Sequence, residues 1–290
     1  MYQIGLSLGA AVQCEELFKG CKEAGIQCAE ISNGKLFLLK NLDFSAMRRY
    51  ADKYGVELWS FHLPFGPFSM IDISTPDETR RKNTVGLFAF LIRQAAAAGI
   101  KHYVIHPSGE PIKEEERDLY MAAAQKSLAA LAEVADSVGG VIAVENLPRT
   151  CLGRDSSDIL RLISADDRLR VCFDTNHLLS EDPVEFIRKV GDKIVTTHVS
   201  DYDKLDERHW LPGEGNTDWP ALLAALREVG YQGPWLYEID LEAPDSIHRE
   251  RVLTPADFAQ NAKTLFEGKI PAPLGTPAEG LPHWTERKKK

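Results

Sequence analysis

Four residues that could bind a metal ion or move a proton each stand at the end of a short apolar run. They are Glu145 in VIAVEN, Asp174 in VCFDTNH, His198 in IVTTHVSD and Glu238 in WLYEID. Each run is typical of a strand that is buried on both faces of a parallel sheet. Because an unpaired buried charge is costly, four such residues at equivalent strand ends predict one shared site.

Carboxylate oxygens and an imidazole nitrogen together suit divalent cations such as Mn²⁺, Co²⁺, Mg²⁺ and Zn²⁺. We therefore predict that Glu145, Asp174, His198 and Glu238 bind one divalent metal ion. Such a set leaves one or two coordination positions open for water or for substrate oxygens. The four ligands do not distinguish among these metals, manganese included.

The chain alternates strand and helix patterns eight times. Strands are predicted at 3–8, 28–32, 56–63, 102–107, 141–146, 170–174, 194–199 and 235–239. Helices are predicted at 13–24, 43–53, 77–98, 114–137, 155–164, 183–190, 219–229 and 255–266. This order is typical of an α/β protein with a parallel sheet, and eight units over about 270 residues predict a closed (β/α)8 TIM barrel.

A closed barrel would bring the strand C-termini together on the face where barrel enzymes carry their catalytic groups. His62 and His106 end the third and fourth predicted strands, so they join the four residues above. The alternative architecture is an open doubly wound sheet. It is disfavoured because no GxGxxG motif opens the first helix.

Residues 1–267 are expected to form the barrel, and residues 268–290 a C-terminal irregular extension. This last segment holds four prolines and three glycines, a composition that resists regular structure. It could wrap the barrel, dock on a second subunit or float, so a homodimer or homotetramer is among the expectations. Its terminal ERKKK run is expected to be a solvated, mobile tail.

Composition narrows the classes of partner and compartment. The net charge is −9 over 290 residues, and an acidic chain is a poor partner for nucleic acid. No run of 18 apolar residues and no signal-peptide pattern is present. Five cysteines without CxxC spacing are typical of reduced thiols. A cytoplasmic protein with a small-molecule substrate and no membrane or nucleic-acid partner is expected.

Several runs together resemble a known family. Glu145-Asn146, the DTNH run that starts at Asp174, the HVSD run that starts at His198 and the PGEG run at 212–215 look like the xylose-isomerase-like barrel superfamily. Within it they resemble the sugar phosphate isomerase/epimerase group, which includes ketose 3-epimerases and hydroxypyruvate isomerases. The similarity extends from Met1 to about Phe266. It implies the metal ligands proposed above, with Glu145 and Glu238 also serving as the catalytic acid/base pair.

The reaction implied by the resemblance is isomerisation or epimerisation of a ketose, a keto-cyclitol or a sugar phosphate. Metal coordination of the carbonyl and adjacent hydroxyl oxygens would stabilise the enediolate that forms when a carbon loses its proton. One glutamate would remove the proton, and the same or the other would return it. Return to the opposite face inverts the carbon, whereas one glutamate working between neighbouring carbons interconverts aldose and ketose. Both outcomes stay open.

Six further residues are candidates for substrate binding: His62, His106, His177, His209, Trp210 and Phe65. The resemblance implies that His177 hydrogen-bonds a substrate oxygen. The histidines at strand ends could donate to substrate hydroxyls, and the aromatic rings could line the carbon face of a sugar. Ordinary structural hydrogen bonding and core packing are the alternative roles for each.

Two positions depart from the ketose 3-epimerase pattern. Cys151 stands where that subgroup has a glutamate, and Lys204 stands where it has an arginine. Both family residues bind substrate. A free ketohexose 3-epimerase is therefore a weaker match than the broader family.

Two other functions remain open. The endonuclease IV type of apurinic endonuclease shares this barrel and holds three zinc ions. Its ligand order is matched by His62, His106, Glu145, Asp174, His177, His198, Glu207, His209 and Glu238, with Glu207 replacing an aspartate. The acidic charge and the scarcity of basic loops disfavour such a multi-zinc phosphodiesterase. A metal-dependent lyase or dehydratase acting on keto-sugars or C-glycosides would use the same metal and glutamates.

Overall fold

The structure is a computed structural model that describes residues 1–10 and 12–286. Residues 287–290, which hold most of the basic run expected to be a solvated tail, lie outside the described part of the chain. Within the described ranges, no helix is both long enough and apolar enough to cross a membrane.

Eight parallel strands form the barrel wall. They are β1 (Ile4–Gly9), β2 (Cys28–Ser32), β3 (Glu57–His62), β4 (His102–Ile105), β5 (Val141–Glu145), β6 (Arg170–Asp174), β7 (Ile194–His198) and β8 (Trp235–Tyr237). Neighbours in sequence are neighbours in the sheet, and β1 pairs with β8. Between β7 and β8, the Val199 amide donates to the Leu236 carbonyl over 2.8 Å. The predicted TIM barrel is confirmed.

Eight helices cover the outside of the barrel. They are α1 (Glu15–Ala24), α2 (Phe44–Tyr54), α3 (Glu78–Ala97), α4 (Arg117–Ser137), α5 (Ser156–Ile163), α6 (Pro183–Val190), α7 (Trp219–Glu228) and α8 (Pro255–Phe266). Asp43, Asp77, Asp155, Asp182 and Asp218 each accept a hydrogen bond from a first-turn amide of the helix that follows. Such caps satisfy amides that have no partner within the helix.

The described part of the C-terminal segment packs on its own barrel. The predictions did not include two short strands, β9 (Ile247–Arg249) and β10 (Gly275–Pro277), which pair antiparallel. Arg208 Nη2 donates to the Pro282 carbonyl over 2.9 Å, and the Trp284 amide donates to the Leu205 carbonyl over 3.0 Å. The segment therefore lies against the loop that follows β7.

The barrel interior holds a small apolar cluster below a polar layer. Val104, Ala143 and Cys172 are fully buried and pack against Val195. The larger core lies between the sheet and the helices. All five cysteines are free, and four of them are buried. Glu145, Asp174 and His198 end β5, β6 and β7, so they lie at the C-terminal end of the barrel.

A buried ion pair ties the PGEG loop to β9. Arg249 Nη2 lies 2.6 Å from Glu214 Oε2, with side chains 1% and 0% exposed. Arg249→Met would leave the Glu214 carboxylate buried with the Leu211 amide as its remaining donor. We expect the free energy of unfolding, measured in urea, to fall by about 3–5 kcal/mol.

The control for this prediction is an exposed pair. Arg188 and Glu228 have side chains 55% and 58% exposed, so Arg188→Met should change stability by less than about 1 kcal/mol. Equal losses in the two variants would contradict the importance of the buried pair.

Candidate metal centre and active site

The four predicted metal ligands converge at the C-terminal end of the barrel. Glu145, Asp174 and His198 end β5, β6 and β7, and Glu238 follows β8. One ligand atom from each lies within 4.8 Å of the others. His198 Nδ1 is 3.3 Å from Glu145 Oε1, 3.4 Å from Glu238 Oε2 and 3.9 Å from Asp174 Oδ2. Parallel strands that end at one height produce this cluster.

Asp174 is held so that one oxygen remains available. Its Oδ1 accepts from the Asn176 amide over 2.6 Å and from the His177 amide over 3.1 Å. Its Oδ2 is buried and has no hydrogen-bond partner among the described residues. The Asn146 side chain bonds both the amide and the carbonyl of Asp174, at 2.8 and 2.9 Å. This links the ends of β5 and β6 and fixes the Asp174 backbone.

Glu30, which the sequence analysis missed, orients His198. The carboxylate lies 3.1 Å from His198 Nε2 and accepts from the hydroxyls of Ser7 and Ser60, both at 2.8 Å. A carboxylate at one imidazole nitrogen favours a proton on that nitrogen, so in neutral His198 the Nδ1 lone pair faces the cluster and can bind a metal ion. The available signal was a glutamate in the middle of the apolar strand CAEIS.

These residues fit a divalent cation. Three carboxylates and the His198 Nδ1 face one small space, and the buried Asp174 Oδ2 has no hydrogen-bond donor among the described residues. Burial and the charges of Glu238 and Glu145 raise the pKa of Asp174 to about 7. Burial also disfavours charge on Glu145, but the neighbouring His198 and His106 imidazoles outweigh it and hold the Glu145 pKa well below its usual value. A cation would neutralise this concentrated negative charge.

His62 and His106 lie against Glu145. His62 Nε2 is 3.0 Å and His106 Nε2 is 3.3 Å from Glu145 Oε2. His62 is fully buried, and its Nδ1 contacts the Leu63 carbonyl over 2.8 Å. His106 is partly exposed and lines a cavity. These two of the four predicted substrate-binding histidines therefore neighbour Glu145, and of the two, His106 also lines the cavity.

A second group with metal-ligating atoms lies at the mouth. His177, Glu207 and His209 have ligand atoms within 4.8 Å of one another. His177 Nε2 is 3.4 Å from Glu207 Oε2, and His209 Nδ1 contacts the Glu238 carbonyl over 3.1 Å. Arg149 contacts the Glu207 carboxylate over 3.1 Å and Glu110 over 2.7 Å. The loops after β4, β5 and β7 are thereby joined beside Glu238.

The two predicted aromatic contacts differ in position. The Phe65 ring stacks on His106 at 4.3 Å between centroids and lines the cavities beside Glu238. Trp210 is 2% exposed, and its Nε1 donates to Ser246 Oγ over 2.9 Å. Among the described residues, Trp210 is not part of the lining of either cavity. Its place indicates that it holds the β7 and β8 loops together.

Two cavities reach Glu238. We call the first the reaction chamber: it has a volume of about 260 Å³ and is lined by His106, His177, Glu207, His209 and Glu238, among others. The second, the connecting chamber, has a volume of about 530 Å³ and shares Phe65, His209 and Glu238 with it. Glu238 is 21% exposed, whereas Glu145 is fully buried. A small molecule in either chamber therefore meets Glu238 directly.

Substitution of Glu30 tests its role in orienting His198. In Glu30→Gln, the side chain keeps its shape but loses the charge that fixes the His198 tautomer. We expect Mn²⁺ affinity, measured by isothermal titration calorimetry, to fall by about 10- to 100-fold. Glu57→Gln, an exposed change at the start of β3, is the control. Unchanged affinity in Glu30→Gln would argue against this role.

Comparisons with known proteins identify similar chains and a similar fold. The chain is 29% identical over 243 residues to the uncharacterized protein MJ1311 of Methanocaldococcus jannaschii, with 80% of each chain covered. It is 25% identical over 148 residues to fructoselysine 3-epimerase of Escherichia coli O157:H7, covering 46% of this chain and 53% of that one. The crystal structure of a D-tagatose 3-epimerase-like protein matches with a TM-score of 0.75 at 24% identity, covering 92% and 97% of the two chains. This last likeness shows a shared fold.

The family assignment comes from the sequence profile. Residues 18–257 match the profile of the xylose isomerase-like TIM barrel family, a span that includes all four candidate metal ligands. The resemblance inferred from the motifs is confirmed, and the chain belongs to the xylose isomerase-like TIM barrel family.

Proposed function

We propose that the protein is a divalent-metal-dependent sugar isomerase or epimerase that acts on a ketose, a keto-cyclitol or a sugar phosphate. The observation that carries this proposal is the cluster of Glu145, Asp174, His198 and Glu238, in which Glu238 also faces a cavity. A sequence relative named for sugar epimerisation gives further support.

The chain's own groups suit proton transfer to and from carbon. Glu238 is the carboxylate that a substrate in the reaction chamber would meet, so it is our candidate for removal of the proton. Glu145 carries imidazole donors from His62 and His106 on Oε2, and these could relay a proton to it. A bound cation would polarise the substrate carbonyl and make the neighbouring C–H bond more acidic. Phe65 would cover the carbon face of the sugar.

The other polar groups would orient the substrate. His177 and His209 line the reaction chamber and could donate to hydroxyls. Cys151 also lines it, where ketose 3-epimerases resembled by this sequence have a glutamate. The chamber therefore lacks one polar contact of that subgroup. This favours a substrate other than a free ketohexose and leaves isomerisation, epimerisation and β-elimination as outcomes to be measured.

Deuterium exchange in D₂O tests the proposal. The protein is stripped with a chelator, reloaded with Mn²⁺, Co²⁺, Mg²⁺ or Zn²⁺, and incubated with ketoses, an inosose, sugar phosphates and 3-keto-glucosides. We expect about one metal ion per chain. One C–H signal of the substrate should disappear from the NMR spectrum when the metal-loaded protein is present, and it should remain when the metal-free protein is used. Absence of exchange with every substrate would overturn the proposal.

A phosphodiesterase remains the second candidate because of the other metal-ligating groups. His62 with Glu145 and His198 forms one such group, and His177 with Glu207 and His209 forms another. Clustered metal ions can activate water and stabilise a departing oxygen. Arg149 forms ion pairs with Glu110 and Glu207, so its guanidinium is not available to bind a phosphate, which argues against this candidate. About three zinc ions per chain together with cleavage of abasic DNA would establish this alternative.

A further inference from the structure

The cavity system at the barrel mouth continues past the connecting chamber. A third cavity of about 430 Å³, which we call the apolar chamber, is lined mainly by Leu6, Val12, Leu38, Ile239, Leu241 and Phe258. It shares Gly9, Leu38, Ile239 and Asp240 with the connecting chamber. The connecting chamber in turn shares Phe65, His209 and Glu238 with the reaction chamber. The three chambers are therefore neighbours, and we call this series, which starts at Glu238, the path.

The ends of this path differ in chemistry. The reaction chamber presents carboxylates and imidazoles, whereas the apolar chamber is built from aliphatic side chains and one phenyl ring. Leu38 and Leu241 are only partly buried there, so apolar surface is left for a ligand to cover. Asp240, at the junction of two chambers, is exposed and could accept a hydrogen bond from a hydroxyl.

The reaction chamber is small, and the apolar chamber lies near it. The reaction chamber alone, at about 260 Å³, falls below the range of about 300–1,000 Å³ found for small-molecule sites. Glu238 and Asp240 lie two residues apart, roughly 7 Å along an extended chain. The edge of the apolar chamber is therefore within reach of a group attached to a sugar at Glu238.

The charges around the path disfavour a phosphate at the reacting end. In the reaction chamber, Arg149 is already paired with Glu110 and Glu207. In the connecting chamber, Arg208 bonds Asp203 over 2.8 Å and the Pro282 carbonyl over 2.9 Å. Lys35 also lines the connecting chamber, where its exposed side chain lies over the Phe37 ring at 5.9 Å from the centroid. At the reacting end, the lining arginine is already paired, so an uncharged sugar suits the reaction chamber better than an anion does.

We propose that the substrate is an uncharged keto-sugar that carries an apolar aryl or alkyl group, as in a keto-glycoside. The sugar occupies the reaction chamber with its reacting carbon at Glu238, and the apolar group occupies the apolar chamber. This inference rests on the proposed function for the orientation of the sugar. The preference for a substrate with an apolar group can be measured as a difference in Kd, independently of turnover.

The test compares phenyl and methyl 3-keto-β-glucosides on the Mn²⁺-loaded full chain, with Kd measured by isothermal titration calorimetry. Covering a phenyl ring with apolar side chains should tighten binding about 10- to 100-fold relative to methyl. Glucose 6-phosphate and fructose 6-phosphate are measured in parallel. Equal Kd values for the two glucosides, or tighter binding of a sugar phosphate, would overturn the inference.

Variants locate the apolar group. Leu241→Asp and Val12→Asp place a carboxylate in two walls of the apolar chamber, and each should bring the phenyl-to-methyl affinity ratio down to about one. Leu160→Asp, at an exposed position on α5, is the matched control and should keep the wild-type ratio. A ratio unchanged in both chamber variants would contradict the assignment. Loss of deuterium exchange with every sugar, while the phenyl preference remains, would overturn the proposed function alone.

Discussion

Glu145→Gln and Glu238→Gln should each lower turnover by about 10²- to 10⁴-fold. General acid–base catalysis contributes about 10²–10⁴-fold, and an amide cannot accept the substrate proton as a carboxylate does. Because glutamine has nearly the same shape, the fold should be retained. The measurement is the rate of solvent deuterium exchange into the best substrate of the panel, with circular dichroism to verify folding.

The two variants remove carboxylates at different depths in the site. Glu238 faces the reaction chamber and Glu145 is buried behind it, so Glu238→Gln removes the group nearest the substrate. Glu228→Gln, an exposed change on α7 with its side chain 58% exposed, is the control and should change the rate less than about twofold. Near-normal exchange in either active-site variant would show that the acid/base assignment is wrong.

Asp174→Asn should lower metal affinity by at least about 100-fold. The asparagine carbonyl can replace Oδ1 as acceptor for the Asn176 and His177 amides, so the loop keeps its shape. Its NH₂ group then replaces Oδ2, the buried oxygen that has no partner among the described residues. Because an NH₂ group offers no lone pair to a cation, metal content and turnover should be lost together. Mass spectrometry of the purified protein measures the first of these.

The same variant should change how the metal-free protein responds to pH. The folded-state pKa of Asp174 is raised from 3.8 to about 7, so in this range the folded protein binds more protons than the unfolded chain. The contribution of Asp174 to stability is therefore fully present below about pH 4 and is lost as pH rises to about 7. The free energy of unfolding, measured in urea on protein stripped of metal by a chelator, should decline over this pH range in the wild type and decline less in Asp174→Asn. Identical pH profiles would contradict a buried, charge-crowded Asp174.

The sequence by itself determined the fold and pointed to the centre of the candidate site. Strand and helix patterns alternate because barrel strands are buried on both faces while helices bury one. Aspartate caps and glycines mark the helix ends locally. The polar residues at strand ends were visible because a charge after an apolar run conflicts with core packing. Glu145, Asp174, His198 and Glu238 can therefore be grouped from the sequence alone.

Only the tertiary structure decided how the other groups are arranged. Glu30 meets His198 across the barrel, at a sequence separation of 168 residues, and no local pattern encodes that contact. Trp210, predicted to contact substrate, is instead buried against Ser246 because loop packing determines which face a ring covers. The pairing of β9 with β10 and the adjacency of the three chambers depend on loops that approach one another in space. Their short, irregular sequences carry no periodicity from which such contacts could be predicted.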